Sequence, residues 1–429
     1  MLSVEIRKEI IALINREVVP AMGCTEPIAV SLCTAKAKEI LGVVPEKIDV
    51  SLSPNVLKNA MGVGIPGTNM IGLPIAVALG AIVGRSEYQL EVLRDTTPEA
   101  VEQGSRMIDE ERISVGVKQG ACDMLYIEVK VSGNNHDAVA IISGAHTNFV
   151  YLEKDGEVIL DSRTSAEKNE TSDNDLSLNL RTVWDFATTA PVDELQFILQ
   201  ARNLNKNAAE ESLKGEWGHC LGRTLRNTSK LDIMGNSTFL HMLSYTSAAC
   251  DARMGGAKIP VMSNSGSGNQ GIASTLPVVV YAEETNATEE QLIRALILSH
   301  LTVIYIKQSL GRLSALCGCV VASTGSSCGI TYLMGGGYEE VSMAVKNMVA
   351  NLTGVICDGA KPSCALKLAS GVSTAMLSAV MAMEHRCVTS LEGIIDDDVD
   401  KSIRNLTSIG SRGMQETDRM ILSIMTSKR

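Results

Sequence analysis

ISVGVKQGACDMLYIEVKVSGNNHDAVAIISGAHTNFVYLEKDGEVILD, residues 113–161, is the stretch whose reading decides the fold. Apolar and polar residues alternate along it in short runs, the period of a half-buried strand. The pattern predicts extended segments at Ile113–Val117, Met124–Val131 and Ala138–Ser143. A hairpin over Val150–Leu160 follows, turning at Asp155–Gly156, because Asp-Gly supplies the positive φ that a tight turn needs. The segment before it, Thr97–Glu111, has helical spacing. Together these predict a compact α/β unit over 86–165, one helix on an antiparallel sheet. The polar run AEKNETSDNDLSL (166–178) then reads as a surface linker.

On either side the texture changes. Ile6, Ile10, Ile11 and Ile14 share one helical face, and a further helix is expected to begin at Gly23–Cys24–Thr25–Glu26–Pro27. There Thr25 can cap and Pro27 fits the first turn. That start puts Cys24 at a helix N-terminus, which favours the thiolate. Beyond Leu180 the chain reads as helices broken by Gly-rich turns: Val192–Leu213, Phe239–Arg253, Glu289–Gln308, Glu339–Val349 and a late helix around Thr374–Met383. The expected class is α+β: a large, mainly helical domain from 1–85 and 166–429, with the small α/β domain of 86–165 inserted.

Composition narrows the function. The chain has 429 residues, 45% hydrophobic and 20% charged, which suits a packed globular protein. Only 3% are aromatic, against 36 Gly and 19 Met, so small and flexible apolar side chains fill the core and helices approach closely. A net charge of −11 lacks the basic face that nucleic acid requires, leaving a small metabolite as the expected partner. The N-terminus shows no export pattern, so a cytoplasmic location is expected. Asn59–Gly84 and Leu313–Gly337 carry no charge and are long enough to cross a bilayer, but their Gly, Pro, Ser and Thr point to buried segments instead.

Eleven cysteines in a reducing compartment are expected as thiols or metal ligands. Cys33, Cys122, Cys220, Cys250 and Cys387 read as small gap-filling residues. Cys24, the pair Cys317 and Cys319, and the pair Cys357 and Cys364 are flanked by Gly or Pro and resemble loop-presented ligands. Spacing alone leaves zinc and iron–sulfur both open, and core packing beside them. SNSGSGNQG (263–271) has no apolar side chain and offers backbone N–H groups that can cradle a carboxylate. Lys307 lies in an otherwise apolar helix, where it either snorkels or serves as a base of lowered pKa.

The runs MGCTEP (22–27), PNVLKNAMGVGIPGT (54–68), SGAHTN (143–148), DARMGGAKIPVMSNSGSGNQG (251–271), SHLTVIYIKQ (299–308), LCGCVVASTGSS (316–327) and ICDGAKPSCALK (356–367) resemble the L-cysteine desulfidase family. Its members are relatives of the alpha chain of iron–sulfur L-serine dehydratases, and the likeness covers nearly the whole chain. The resemblance implies a [4Fe–4S] cluster with one iron lacking a protein ligand and no pyridoxal phosphate. By motif its ligands would be Cys24, Cys317 and Cys357, with Cys319 and Cys364 as second choices. Cys328 receives no role. The implied reaction is elimination of hydrogen sulfide from L-cysteine to give pyruvate and ammonia. The same machinery acting on L-serine is the nearest alternative, and a non-enzymatic iron–sulfur or zinc sensor another. Lys307, His146 and Lys58 are the expected catalytic residues. Asn59, Arg253, Ser263, Asn264, Ser265, Ser267, Asn269, Gln270 and Lys361 are expected around the substrate. A homodimer is compatible with all of this.

Overall fold

The computed structural model describes residues 2–120, 122–163, 176–227, 235–311 and 314–427. Among the described residues, eight strands and a larger number of helices make up an α+β protein, mainly helical. Six strands form one sheet: β2 (Lys47–Leu52), β3 (Ile113–Val117), β4 (Tyr126–Gly133), β5 (His136–Ser143), β6 (Phe149–Lys154) and β7 (Glu157–Asp161), in the order β3-β2-β4-β5-β6-β7. β1 (Pro20–Met22) and β8 (Pro260–Met262) pair separately as a two-stranded antiparallel ribbon.

Two features of the sheet differ from the sequence reading. It is mixed rather than antiparallel, since β2 and β3 run parallel. It also extends outside 86–165: β2 lies between β3 and β4, and helices Thr25–Leu41 and Leu73–Ile82 pack with Pro98–Asp109 over one sheet face. Parallel strands need a crossover, and here it contains two of those helices, which separates β2 from its neighbours in sequence. The helix Leu73–Ile82 is buried along nearly its whole length, which accounts for the uncharged run around it. The hairpin turns where expected, with Asp155 and Gly156 both at positive φ. Most of 166–178, read as a linker, lies outside the described residues.

The second core is helical. Glu289–Leu310 packs along Gly318–Leu333, which packs in turn on Gly268–Glu284 and Cys364–Met383. Glycine permits this closeness. A Cβ on Gly325 would lie 2.4 Å from the carbonyl oxygen of Ser299, and one on Gly329 would lie 2.8 Å from that of Ala295. The predicted helix Val192–Leu213 begins as two short 3-10 turns and becomes α-helical only at Leu199. Among the described residues one helix, Cys364–Met383, is long and apolar enough to cross a membrane, and half of it is buried against the other helices.

Candidate active site

The β1–β8 ribbon brings two of the motifs together. Ala21 pairs with Val261, and because the strands are antiparallel GCTEP follows Met22 at one end of this short ribbon while SNSGSGNQG follows Met262 at the other. Backbone bonds continue the junction, with Ser263 N–H donating to Val19 O at 2.8 Å and Ser265 N–H to Glu17 O at 2.9 Å. Cys24 then becomes the N-cap of Thr25–Leu41, 1% exposed and without a side-chain capping bond. It takes the position expected of Thr25.

A second junction joins the other thiols. Leu316 and Ile356 form an antiparallel bridge, with Cys317 N–H donating to Val355 O at 2.9 Å and Cys357 N–H to Ala315 O at 2.6 Å. The Cys317 and Cys357 thiols are hydrogen-bonded side by side. Gly359, at φ +87°, presses on α-helical backbone: a Cβ there would lie 2.1 Å from Lys58 O. Cys364 opens the helix Cys364–Met383 a few residues later.

Both junctions face one cavity of about 130 Å³. Its wall carries five thiols, those of Cys24, Cys317, Cys319, Cys357 and Cys364. The N-terminal ends of four helices meet it, through Cys24, Ser267, Cys317 and Cys364. Lys58, Arg253 and Lys367 add positive charge, and Lys307 an amine. Helix N-termini and ammonium or guanidinium groups together favour anions.

Two polar atoms on this wall, Arg253 Nε and Gln270 Oε1, are buried with no hydrogen-bond partner among the described residues. Unsatisfied buried groups are costly, and here they lie where a ligand can meet them. Arg253 is otherwise held by Asn269, its Nη1 donating to Oδ1 at 3.0 Å. Gly268 lets it lie close, since a Cβ there would come within 2.2 Å of Nε. Lys58 is 2% exposed and its Nζ donates to Asp418 at 2.5 Å.

The thiols contradict one expectation. A helix N-terminus was expected to lower the Cys24 pKa, yet burial pushes it up to about 12, the neighbouring Arg253 only partly offsetting it. Removing a thiolate from water outweighs the partial charge of the helix end. Cys317 is raised to about 12, by its hydrogen bond with Cys319 first and by burial as well. Cys357 is raised well above the ordinary value by its bond with Cys317 and by burial. These thiols therefore favour the protonated form, and a metal bound by them would have to displace those protons.

No group of three or more His, Cys, Asp or Glu side chains among the described residues gathers tightly enough for a single metal ion. A cluster of several irons is wider than one ion and needs its thiolates spread around it. Five sulfur donors around one cavity, in a cationic setting, fit such a group.

The remaining predicted residues divide. Lys58, Asn59, Arg253, Ser265, Ser267, Asn269, Gln270 and Lys307 line the cavity. Ser263 and Asn264 do not. The Ser263 hydroxyl donates to Val19 O at 2.6 Å, and Asn264 is fully buried with its amide on His300 at 3.0 Å, so both brace the loop from behind. His300, whose pKa burial lowers to about 3, is neutral and accepts from Asn264 at Nδ1, leaving Nε2 to donate to Thr275 at 3.0 Å. Lys361 is also absent from the wall, since its Nζ caps the carbonyls of Asp358 and Gly359 and pairs with the Asp358 carboxylate. His146 lies in the loop between β5 and β6, half-buried and outside the cavity wall. A strand-end position carries it to the sheet rim rather than to the helix ends.

Sequence reasoning missed Lys367 and Glu26, which line the cavity. Lys367 was legible in principle, because three residues after Cys364 on a helix is the same face. Cys33 and Cys250 are fully buried as expected of core residues, whereas Cys122, Cys220 and Cys387 are half-buried.

Residues 87–423 match the family described as serine dehydratase alpha chain. The chain is 69% identical over 422 residues to a UPF0597 protein of Bacteroides fragilis, covering 98% of each. It is 54% identical over 428 residues to a UPF0597 protein of Porphyromonas gingivalis, covering 99% of each. For a UPF0597 protein of Oleidesulfovibrio alaskensis the figure is 47% over 419 residues, 98% of each.

Proposed function

The chain belongs to the serine dehydratase alpha-chain family, and from that footing we propose that it is an iron–sulfur lyase that takes L-cysteine to pyruvate, ammonia and hydrogen sulfide. The observation that carries this reading is the single cavity walled by thiols from three distant segments, cationic side chains and four helix N-termini. Cys24, Cys317 and Cys357 would hold a [4Fe–4S] cluster. When bound, the cluster supplies a Lewis acid that takes the substrate's sulfur as the Cβ–S bond breaks.

The chain's own residues do the rest. Arg253, with its unpartnered Nε, and the Ser265–Gln270 loop at the start of the helix Gly268–Glu284 receive the substrate carboxylate. Lys58 is anchored by Asp418 and adds a fixed positive group to the wall. With His146 outside the cavity, Lys307, 8% exposed, is the candidate to receive the Cα proton, acting as the neutral amine. Loss of that proton and of sulfide leaves aminoacrylate, which tautomerises to an imine and hydrolyses to pyruvate and ammonia.

The family description names serine, and a second reading is dehydration of L-serine in the same cavity. Both substrates present the same carboxylate and amine. A purely sensing protein would bind the cluster with a fourth thiolate, from Cys319 or Cys364, and stay inert to cysteine. Anaerobic reconstitution with iron and sulfide, followed by iron counting and product assays on both amino acids, separates these. About four irons with sulfide and pyruvate from L-cysteine support the first reading. Turnover of L-serine alone moves the assignment to dehydration, and a protein that takes up no iron overturns both.

A further inference from the structure

An α-amino acid carries two opposite charges, and the cavity described above is built for only one of them. Lys58, Arg253 and Lys367, with four helix N-termini, attract a carboxylate and repel an ammonium. Among the described residues on the wall there is one carboxylate, that of Glu26. It sits in the first turn of the helix that Cys24 caps, close enough to Cys24 to oppose ionisation of its thiol. Asn59 Nδ2 donates to its Oε1 at 3.3 Å, while its other oxygen accepts no hydrogen bond among the described residues. The nearby acids are committed elsewhere: Asp418 to Lys58, and Asp358 to Lys361 and Lys367.

We propose that Glu26 receives the substrate's α-ammonium and makes the site select α-amino acids over the corresponding acids that lack the amine. Asn59 orients the carboxylate through Oε1, and Gln270 Oε1, buried and unpartnered on the same wall, is a second acceptor available to the ammonium. A carboxylate in the first turn also complements the helix dipole. That role is indifferent to the ligand's amine, which gives the test its discrimination.

The assignment rests on the cavity being an amino-acid site and not on the reaction. L-Alanine and propanoate differ by the amine and carry no leaving group at Cβ, so their binding to the reconstituted protein can be followed by calorimetry without turnover. The wild type is expected to bind L-alanine at least about tenfold more tightly than propanoate. Glu26→Gln should cut that preference about tenfold, or about 1.4 kcal/mol, with propanoate affinity held within about twofold. Equal preference in wild type and variant, or none in the wild type, overturns the proposal. Should Glu26→Gln fail to fold, Glu26→Asp is read instead: the shorter carboxylate should weaken the preference without abolishing it, and an unchanged preference counts against Glu26. Iron content and sulfide release are separate readouts. A protein that keeps the Glu26-dependent preference but neither binds iron nor turns over sinks the lyase reading alone.

Discussion

Cys24 shows how a single side chain can be placed well from the sequence and still be misjudged in its chemistry. Its position at a helix start follows from the Thr-Glu-Pro behind it, and the helix forms there. Its acidity does not follow, because it is set by burial in the folded core and then by groups far along the chain, such as Arg253 and Cys364, that act on it through their charge. Thiols held this protonated bind metal with release of protons, so assembly of the site should be weaker at lower pH. Cys24→Ala, Cys317→Ala and Cys357→Ala should each lose most of the iron counted after reconstitution, whereas Cys33→Ala should keep it. Full iron in Cys24→Ala would break the ligand assignment.

His300 belongs to the same scale. Its folded-state pKa is depressed to about 3 from the ordinary 6.5, because the ring is wholly buried. The unfolded chain therefore binds a proton that the folded one refuses, and stability falls as pH drops from about 6.5 towards 3. Thermal unfolding followed across that range should show the decline, and His300→Gln should flatten it while lowering stability near neutrality. A wild-type midpoint that does not move between pH 6.5 and 4 would contradict the buried neutral ring.

Among the elements, the close pair Glu289–Leu310 and Gly318–Leu333 depends on glycine at the contact. Gly325→Ala would drive a methyl group to 2.4 Å from Ser299 O and 2.8 Å from Val303 Cγ2. Overpacking of this kind costs about 1–3 kcal/mol, measurable by denaturant unfolding. Gly354→Ala, where nothing lies within 4 Å, is the matched control and should change little. The last helix, Gln415–Thr426, buries only Ile421 fully but delivers Asp418 to Lys58. Asp418→Ala leaves that buried ammonium uncompensated, at a cost of about 3 kcal/mol. Replacing both partners, as Lys58→Met with Asp418→Ala, should recover most of the stability, though not the activity. If the single variant is as stable as wild type, the pair does not hold the helix.

At the scale of the molecule, the cavity is assembled from segments near residues 24, 58, 265, 317 and 360. A group bound by thiols from three of them would tie the helical core to the helix that covers the sheet. Binding to the folded state alone raises stability by mass action, so reconstitution should raise the thermal midpoint, and Cys24→Ala should abolish that rise. A midpoint indifferent to iron would place the group elsewhere.

Much of this protein was legible along the chain because it is local. The strands from Ile113 to Asp161, the Asp-Gly turn and most helices obey periods of two or 3.6 residues, which sequence displays directly. The cysteine motifs stood out because Gly and Pro beside a thiol are poor choices for a core. What depended on tertiary structure is non-local. β2 enters the sheet beside a strand some sixty residues away, and its parallel pairing cannot be read from its own alternation. Lys361 and Lys367 both pair with Asp358, but Lys361 also turns back onto the carbonyls of Asp358 and Gly359, while Lys367, on the helix that Cys364 opens, lines the wall. His146 lies outside the cavity wall in the loop between β5 and β6, and Glu26 is distinguished by its sign, since the other charged groups among the described residues of the wall are positive. Residue types and periods are properties of short segments, whereas burial, pairing and the sign of a local field are sums over neighbours that only folding brings together.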